Sequence, residues 1–492
     1  MTTLKKTGLA VAGAALVVAA ACNPDSLTNL NKNPNTPESA TPQLIFPSGL
    51  LGAVNLFQGT GIQIRFTELW AQHVAEYQYP DEDQYVIFPT TIDANWLTMY
   101  TGPLQDFEVV LRQSGTKPDQ AGPALVMKSW TYQNGTDIWG DIPYSEANKG
   151  DNAAITPAYD TQQAIYTGLL ADLKTAATGM GTTNPYGSSD LIYGGDNTKW
   201  KKFANSLRAR VALHLSKADP TKAASEIAAV ANSGFTSNAD NAELVWPGDG
   251  QRDAPYFTEF KTRDDHRMSK TFYDTLSRLN DPRIPVFFRS TQNWQADSAA
   301  GITPTVPRYG GMENGLSASA AATRGKSSSR IGTFFARNDT PSYLMTFAEF
   351  LFIKAEAANR GWIPGGGAQA AIYYNQGITA SMEQFGVDAA STAAYLAQPS
   401  VTYQAGAAGL AQINLQKWIA LFAQGVEAWT EYRRTGVPNL TASVQGQTTP
   451  KIVPRRLEYP ASEQSFNNAN LQAAVTRQGG ATLTNRFYWD KP

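Results

Sequence analysis

Glu349 and Glu356 stand seven residues apart in LMTFAEFLFIKAEA, so a helix there puts both carboxylates on one face. Two acids flanking a glycosidic bond are what a glycoside hydrolase needs, one as general acid and the other as base or nucleophile. Here they are interleaved with Phe350, Leu351 and Ile353, and acids in apolar surroundings need cations. The expected role is therefore ion pairing with arginines of a facing helix, such as Arg433 or Arg434. Histidine adds little. His73 and His214 fall inside helical apolar patterns and read as hydrogen-bonded core residues, whereas His266, in RDDHR, reads as a solvated loop residue. The chain has no HExxH, no Cys/His cluster and no GxSxG, so zinc hydrolysis and a nucleophile elbow have no support. RGKSSSR ends like a phosphate-binding loop, but the first glycine of that motif would fall on Ala320, and the segment reads as a loop. The acids of DEDQ lack EF-hand spacing, so no metal site is assigned, and no cofactor is called for.

Binding without catalysis is better represented. A sugar offers flat CH faces and a rim of hydroxyls, which suits aromatic rings edged by Asn, Gln, Asp or Arg. EYQYPDEDQY supplies Tyr77, Tyr79 and Tyr85 among amides and acids. VWPGDGQRDAPYF supplies Trp246, Arg252 and Tyr256, and Trp294 stands in a further long loop. These seven residues are the candidate ligand contacts, while Trp96 and Tyr100, four apart in a helical pattern, are expected to pack. Net charge is −2, only 17% of residues are charged, and the chain holds 11 Trp, 21 Tyr and 21 Phe. That balance gives no footprint for nucleic acid.

The elements that must position these residues are mostly helices. In INLQKWIALFAQGVEAWTEYRRTGVP, residues 413 to 438, Leu415, Trp418, Ile419, Phe422, Val426 and Trp429 share one helical face, and Gly436 and Pro438 end the pattern. A second helix is expected over 342 to 360, and others near 41–57, 61–77, 92–113, 121–135, 160–178, 198–217, 220–232, 268–279 and 367–385. Paired helices with short turns suggest a mainly α scaffold of tetratricopeptide-like hairpins. Long irregular segments at 78–91, 136–158, 180–197, 235–267, 286–343 and 438–484 carry many of the aromatics, and loops that long are usually functional or disordered.

The N-terminus has its own logic. Lys5 and Lys6 precede an uncharged apolar run from Leu9 to Ala21, the pattern of a secretory signal over residues 1–21 and too short to span a bilayer. Cys22 is the sole cysteine and follows Ala19, Ala20 and Ala21, resembling a bacterial lipobox with Ala19 in place of the usual Leu. Lipid attachment at Cys22 is the expectation, followed by an Asn/Pro-rich tether over 22–42 and a single helical binding domain over 43–492.

DIWGDIPYSEA, LMTFAEFLFIKAEA and the 413–438 segment, with NDPRI, IVPRRLEYP, NNANLQAAV and the terminal FYWDKP, together resemble the SusD/RagB family of outer-membrane nutrient-binding lipoproteins, in the expected order over nearly the whole mature chain. The resemblance implies tetratricopeptide-type hairpins with a loop-rich region supplying the ligand face. It implies a lipid-anchored protein, surface-exposed on the outer membrane, that captures an oligosaccharide, or in some members a peptide, and passes it to a SusC-like TonB-dependent transporter. It implies no bond-breaking chemistry. The alternative left by the residues is a secreted all-α glycan-degrading enzyme using two carboxylates.

Overall fold

Helix starts in this chain are marked by side chains that satisfy free backbone N–H groups. Thr161, Asp196, Asp219 and Thr346 each accept from backbone amides of the first turn that follows, and Pro89, Pro118 and Pro220 open helices at positions where no N–H is needed. A computed structural model describes residues 40–150 and 154–492, so the signal segment, Cys22 and nearly all of the 22–42 tether lie outside the described residues.

Between Pro42 and Pro492 the helices are α1 (Pro42–Gln58), α2 (Pro89–Met99), α3 (Gln105–Ser114), α4 (Pro118–Trp139), α5 (Gln162–Gly179), α6 (Asn197–His214), α7 (Pro220–Val230), α8 (Pro255–Phe260), α9 (Lys270–Arg278), α10 (Ile284–Phe287), α11 (Gln292–Ala299), α12 (Ala318–Arg324), α13 (Phe347–Asn359), α14 (Gly366–Gln384), α15 (Ala389–Leu396), α16 (Gly406–Ala420), α17 (Gly425–Thr435), α18 (Ala461–Phe466) and α19 (Asn468–Arg477). A wide-turn helix over Thr60–Thr67 runs on into Glu68–Trp70. Consecutive helices pack on one another from α3 through α7, α13 packs on α14 and α16, and α6 and α17 tie the two groups together. The result is a mainly α scaffold of tetratricopeptide-like hairpins. Its core is rich in large rings: Trp70, Trp130, Trp139, Trp200, Trp418, Trp429 and Trp489 are all buried. Three short antiparallel pairs fasten the loops: β1 (Val74–Glu76) with β5 (His266–Met268), β2 (Ile142–Pro143) with β3 (Tyr159–Asp160), and β4 (Ala242–Leu244) with β6 (Ser342–Met345).

Several elements depart from the periodicity that suggested them. The single helix expected over 413–438 is two, α16 and α17, separated by a reversal at Ala423 (φ +66°). The start of α17 lies against Thr67 and Glu68, so close that a Cβ on Gly425 would stand 2.6 Å from Thr67 Oγ1, and the Gly425 N–H donates to Gln63 Oε1. That contact, made with residues some 360 positions away, decides the break. Residues 342–345 form a strand in place of the first turn of the expected 342–360 helix, and 74–76 form β1 in place of a helix end. Pro103, which has no N–H to donate, and the kinked Gly102 divide the expected 92–113 helix. The loops expected to be irregular contain α8, α11, α12, α18 and α19, helices of six to ten residues.

Candidate functional site

The β1–β5 pair is what assembles the site. Register places Glu76 opposite His266, which brings EYQYPDEDQY alongside the charge-dense RDDHR segment. The first of these loops is held shut by its own acids. The Glu76 amide donates to Asp83 Oδ2 and the Asp83 amide donates to Glu76 Oε2, both at 3.1 Å. Asp83 also accepts from Asn314 Nδ2 and the Gly315 amide, at 2.9 and 2.7 Å. Burial raises the Asp83 carboxyl to about 7 and, with Asp83 and Glu82 nearby, raises Glu76 well above its ordinary value. These acids are therefore structural, and their burial lets the loop present Tyr79.

Two adjoining cavities open here and share Arg263 and His266. One, of about 350 Å³, is lined by Arg65, Gln78, Tyr79, Glu82 and Glu259. The other, of about 440 Å³, is lined by Phe257, Phe260, Lys261, Arg289 and Arg330. Tyr79 is 65% exposed, adopts φ +53°, uncommon for a residue with a Cβ, and carries the Arg263 guanidinium 5.5 Å from its ring centre. Tyr77 is half-buried under the Arg267 guanidinium, 4.0 Å away, with its ring against Gly325, where no Cβ would fit. RGKSSSR thus serves as the floor under Tyr77. Trp294 is half-buried and stacked with Arg308, which also lies over Tyr309 and donates to Ser290 Oγ. Exposed rings beside guanidinium groups are what the CH faces and hydroxyls of a sugar require.

His266 corrects the expectation of a solvated loop residue: it is a strand residue only 7% exposed. Neither ring nitrogen has a hydrogen-bond partner, although the Ile64 backbone lies near. Burial and the cations Arg263, Arg267 and Arg65 lower it to about 4, so it is neutral near pH 7.

Three sequence candidates belong to the core. Tyr85 is buried with its hydroxyl accepting from the Ser443 amide at 2.8 Å. Trp246 is buried and donates to Ser342 Oγ at 2.9 Å across the β4–β6 pair. Tyr256 is buried against Phe260 and Phe335, its hydroxyl accepting from Gln63. The expectation of a ligand-facing ring is corrected at these positions, because each ring is enclosed and each polar tip already has a protein partner. Arg252 is exposed and forms an ion pair with Asp249 inside its own turn. Phe260, Arg263, Arg289 and Arg330 were not singled out from the sequence; the run RDDHR was the available signal.

The hydrolase alternative finds its acids elsewhere. Glu349 is fully buried and receives Arg210 Nε at 2.6 Å, while Glu356 is held by Arg434 at 2.7 and 2.8 Å and by Arg360 at 2.8 Å. Arg434 is the partner expected for this face, but Arg433 meets no carboxylate: it donates to the Asp137 and Arg455 carbonyls and lies 3.4 Å over Trp429. His73 bonds Glu68 and the Trp418 carbonyl, and His214 bonds Tyr166 and Glu427, both as satisfied core histidines. His214, Glu427 and Glu431 lie close enough to hold an ion, yet Lys417 already sits 3.5 and 3.4 Å from the two carboxylates.

A larger cavity of about 750 Å³ lies between α2 and α18, floored by Trp96, Tyr100 and Phe466. Its two carboxylates are already engaged, Asp93 by Ser462 and Glu463 by Tyr159 and Asn467. The basin around Arg263 and His266 is the better candidate, because it joins an exposed ring, Tyr79, to the unpartnered buried nitrogens of Arg289 and His266.

The chain aligns with solved structures over most of its length. A chitin-binding protein is 28% identical with TM-score 0.80, covering 92% of this chain and 100% of that one. A chitin-binding SusD homolog from Flavobacterium johnsoniae is 26% identical with TM-score 0.78, covering 90% and 98%. A SusD homolog from Bacteroides uniformis, 23% identical with TM-score 0.79, covers 91% and 99% and shares the fold. No curated protein matches. No helix among the described residues is long and apolar enough to cross a membrane. The family model described as starch-binding and associating with the outer membrane matches residues 34–460, and the chain belongs to this SusD-like family.

Proposed function

We propose that the protein is a non-catalytic glycan-binding lipoprotein, anchored through Cys22 to the outer membrane and facing outward. It captures an oligosaccharide in the Arg263/His266 basin and passes it to a SusC-like TonB-dependent transporter. One contrast carries this reading. The acids that a glycosidase would use, Glu349 and Glu356, are buried in ion pairs, while Tyr79, Phe257 and Phe260 line open cavities edged by guanidinium groups. The chitin-binding neighbours at 28% and 26% identity support a saccharide ligand.

Calorimetry of the purified protein against neutral and acidic oligosaccharides and peptides tests the ligand class, with the same mixtures assayed for new reducing ends. Binding without new ends is expected. Turnover that disappears with Glu349→Gln or Glu356→Gln would establish the enzyme instead. Cys22→Ser should release the protein from the membrane fraction, and a variant that stays there while still taking up labelled fatty acid would remove Cys22 as the anchor. A tagged chain should also retain a TonB-dependent transporter after detergent extraction.

A further inference from the structure

Cations converge on the 440 Å³ cavity, and all but one have counter-ions in the protein. Arg330 is paired with Asp264, which also holds Arg267 at 2.7 Å. Arg263 is paired with Asp265 and stands 3.6 Å from Glu259. Lys261 is 4.0 Å from Asp253 and lies over the Phe257 ring. Arg289 has no ion pair, and its Nε is buried without a hydrogen-bond partner. Two charges act on it: Arg330, to whose carbonyl the Arg289 amide is bonded, and Asp264, which Arg267 and Arg330 already hold in ion pairs. On the same wall His266, almost fully enclosed, leaves both ring nitrogens unpartnered.

Arg289 is half-buried, and the cost falls on its enclosed Nε–H, because a buried N–H without an acceptor loses its hydration and regains nothing. Proteins keep such groups where something else completes them. The missing partner must be a hydrogen-bond acceptor, since Arg289 can only donate, and an anionic acceptor also answers the gathering of Lys261, Arg263, Arg289 and Arg330 around a cavity walled by two aromatic rings. Phe260 lies edge-on to the His266 ring at 5.6 Å and, with Phe257, offers the flat apolar surface that a pyranose covers.

We infer that the ligand is an acidic saccharide, a glycan bearing a carboxylate or sulfate ester, whose anionic oxygens are received by Arg289 and the neutral His266 imidazole. This deepens the proposed glycan-binding reading and rests on it. Asp264 faces the same cavity, but Arg267 and Arg330 already occupy it.

The test is calorimetry of the full-length mature protein against oligogalacturonate, the same oligomer with its carboxyls reduced to alcohols, a sulfated galactan oligosaccharide, chitooligosaccharide, a glutamate peptide and inorganic sulfate. The expected result is that one acidic oligosaccharide binds at least tenfold more tightly than its neutral counterpart, roughly what one charge-assisted hydrogen bond supplies. Which of the two acidic sugars binds identifies carboxylate or sulfate. Arg289→Gln should lower that affinity about tenfold, with Arg289→Lys recovering part of it, and the ligand-free melting point should not fall. Should Arg289→Gln fail to fold, the wild-type protein still decides, because acidic-sugar affinity must weaken with added salt. Equal binding of neutral and acidic oligomers overturns the inference and leaves glycan capture standing. Tighter binding of the glutamate peptide or of free sulfate overturns it in favour of those anions. Binding to no saccharide sinks both the inference and the glycan reading.

Discussion

Two regions of this molecule concentrate charge, and they are built to opposite rules. Behind α13, α16 and α17 the acids Glu349, Glu356, Glu427 and Glu431 are fully enclosed, and each meets a cation: Arg210, Arg434, Arg360, Lys417 or His214. In the basin between RDDHR and the 286–343 segment, Arg289 has no ion pair, and the His266 ring has no side-chain partner. A balanced, sealed network holds helices in register and has no capacity for a ligand. An unbalanced, open one is a liability until something binds. The residues that made the family recognisable, such as Trp418, Glu356 and Arg434, lie in the first region, and the residues proposed to receive a ligand lie in the second.

The sharpest way to break this contrast is Arg434→Ala, which leaves Glu356 and Glu431 buried without their shared cation and should cost about 3–5 kcal/mol in urea unfolding. An unfolding midpoint that barely moved would mean the network is not what holds the scaffold.

The pH dependence of melting comes next. Glu427 and Asp137 raise His214 from 6.5 to about 9 against its burial, so its stabilisation is complete below about pH 6.5 and is lost as pH rises towards 9. Arg434 overcomes burial to hold Glu356 down at about 2, so that contribution is complete above about pH 4.5 and is lost as pH falls towards 2. The network should favour folding most between those limits. His214→Gln should flatten the alkaline limb; an unchanged limb would assign it to other groups. Asp83, beside the basin, works the other way: its carboxyl, raised from 3.8 to about 7 by burial, withdraws stability as pH climbs through that window.

A smaller effect distinguishes the open region from the sealed one. Tyr79→Ala should weaken the tightest-binding saccharide by about 1 kcal/mol, through loss of a ring face and of the surface against which Arg263 rests, with melting unchanged. Unchanged affinity would take Tyr79 out of the site. Smallest of all, Arg252→Ala removes an exposed pair with Asp249 and should leave the melting point unchanged. A loss of saccharide affinity in that variant would extend the basin onto the 248–253 turn.

Much of the scaffold was legible because a helical face needs only local spacing. Trp418, Ile419, Phe422, Val426 and Trp429 are buried as their spacing requires, and Leu415 of the same face is half-buried against the core. The same spacing runs unbroken through Ala423, where the chain reverses, because the reason lies in Thr67 and Glu68 pressing on Gly425. The site was legible only in part for a related reason. Tyr77 and Tyr79 were recognisable as aromatics in a polar loop, but so were Tyr85, Trp246 and Tyr256, and composition cannot tell a ring that faces solvent from one that a distant loop covers. The Ser443 amide donates to the Tyr85 hydroxyl, and Ser342 Oγ accepts from the Trp246 indole, across 358 and 96 positions of chain.

The sequence by itself determined a mainly α chain with core tryptophans, paired helical faces and acids that must find arginines, because periodicity and the cost of burying charge act residue by residue. Tertiary structure alone decided which arginine meets which acid, giving Glu349 to Arg210, and which cation is left over. That remainder, Arg289, depends on charge balance among segments far apart in the chain, which the Phe288–Ile331 bridge and the folding of RDDHR beside it bring together and which no local pattern encodes.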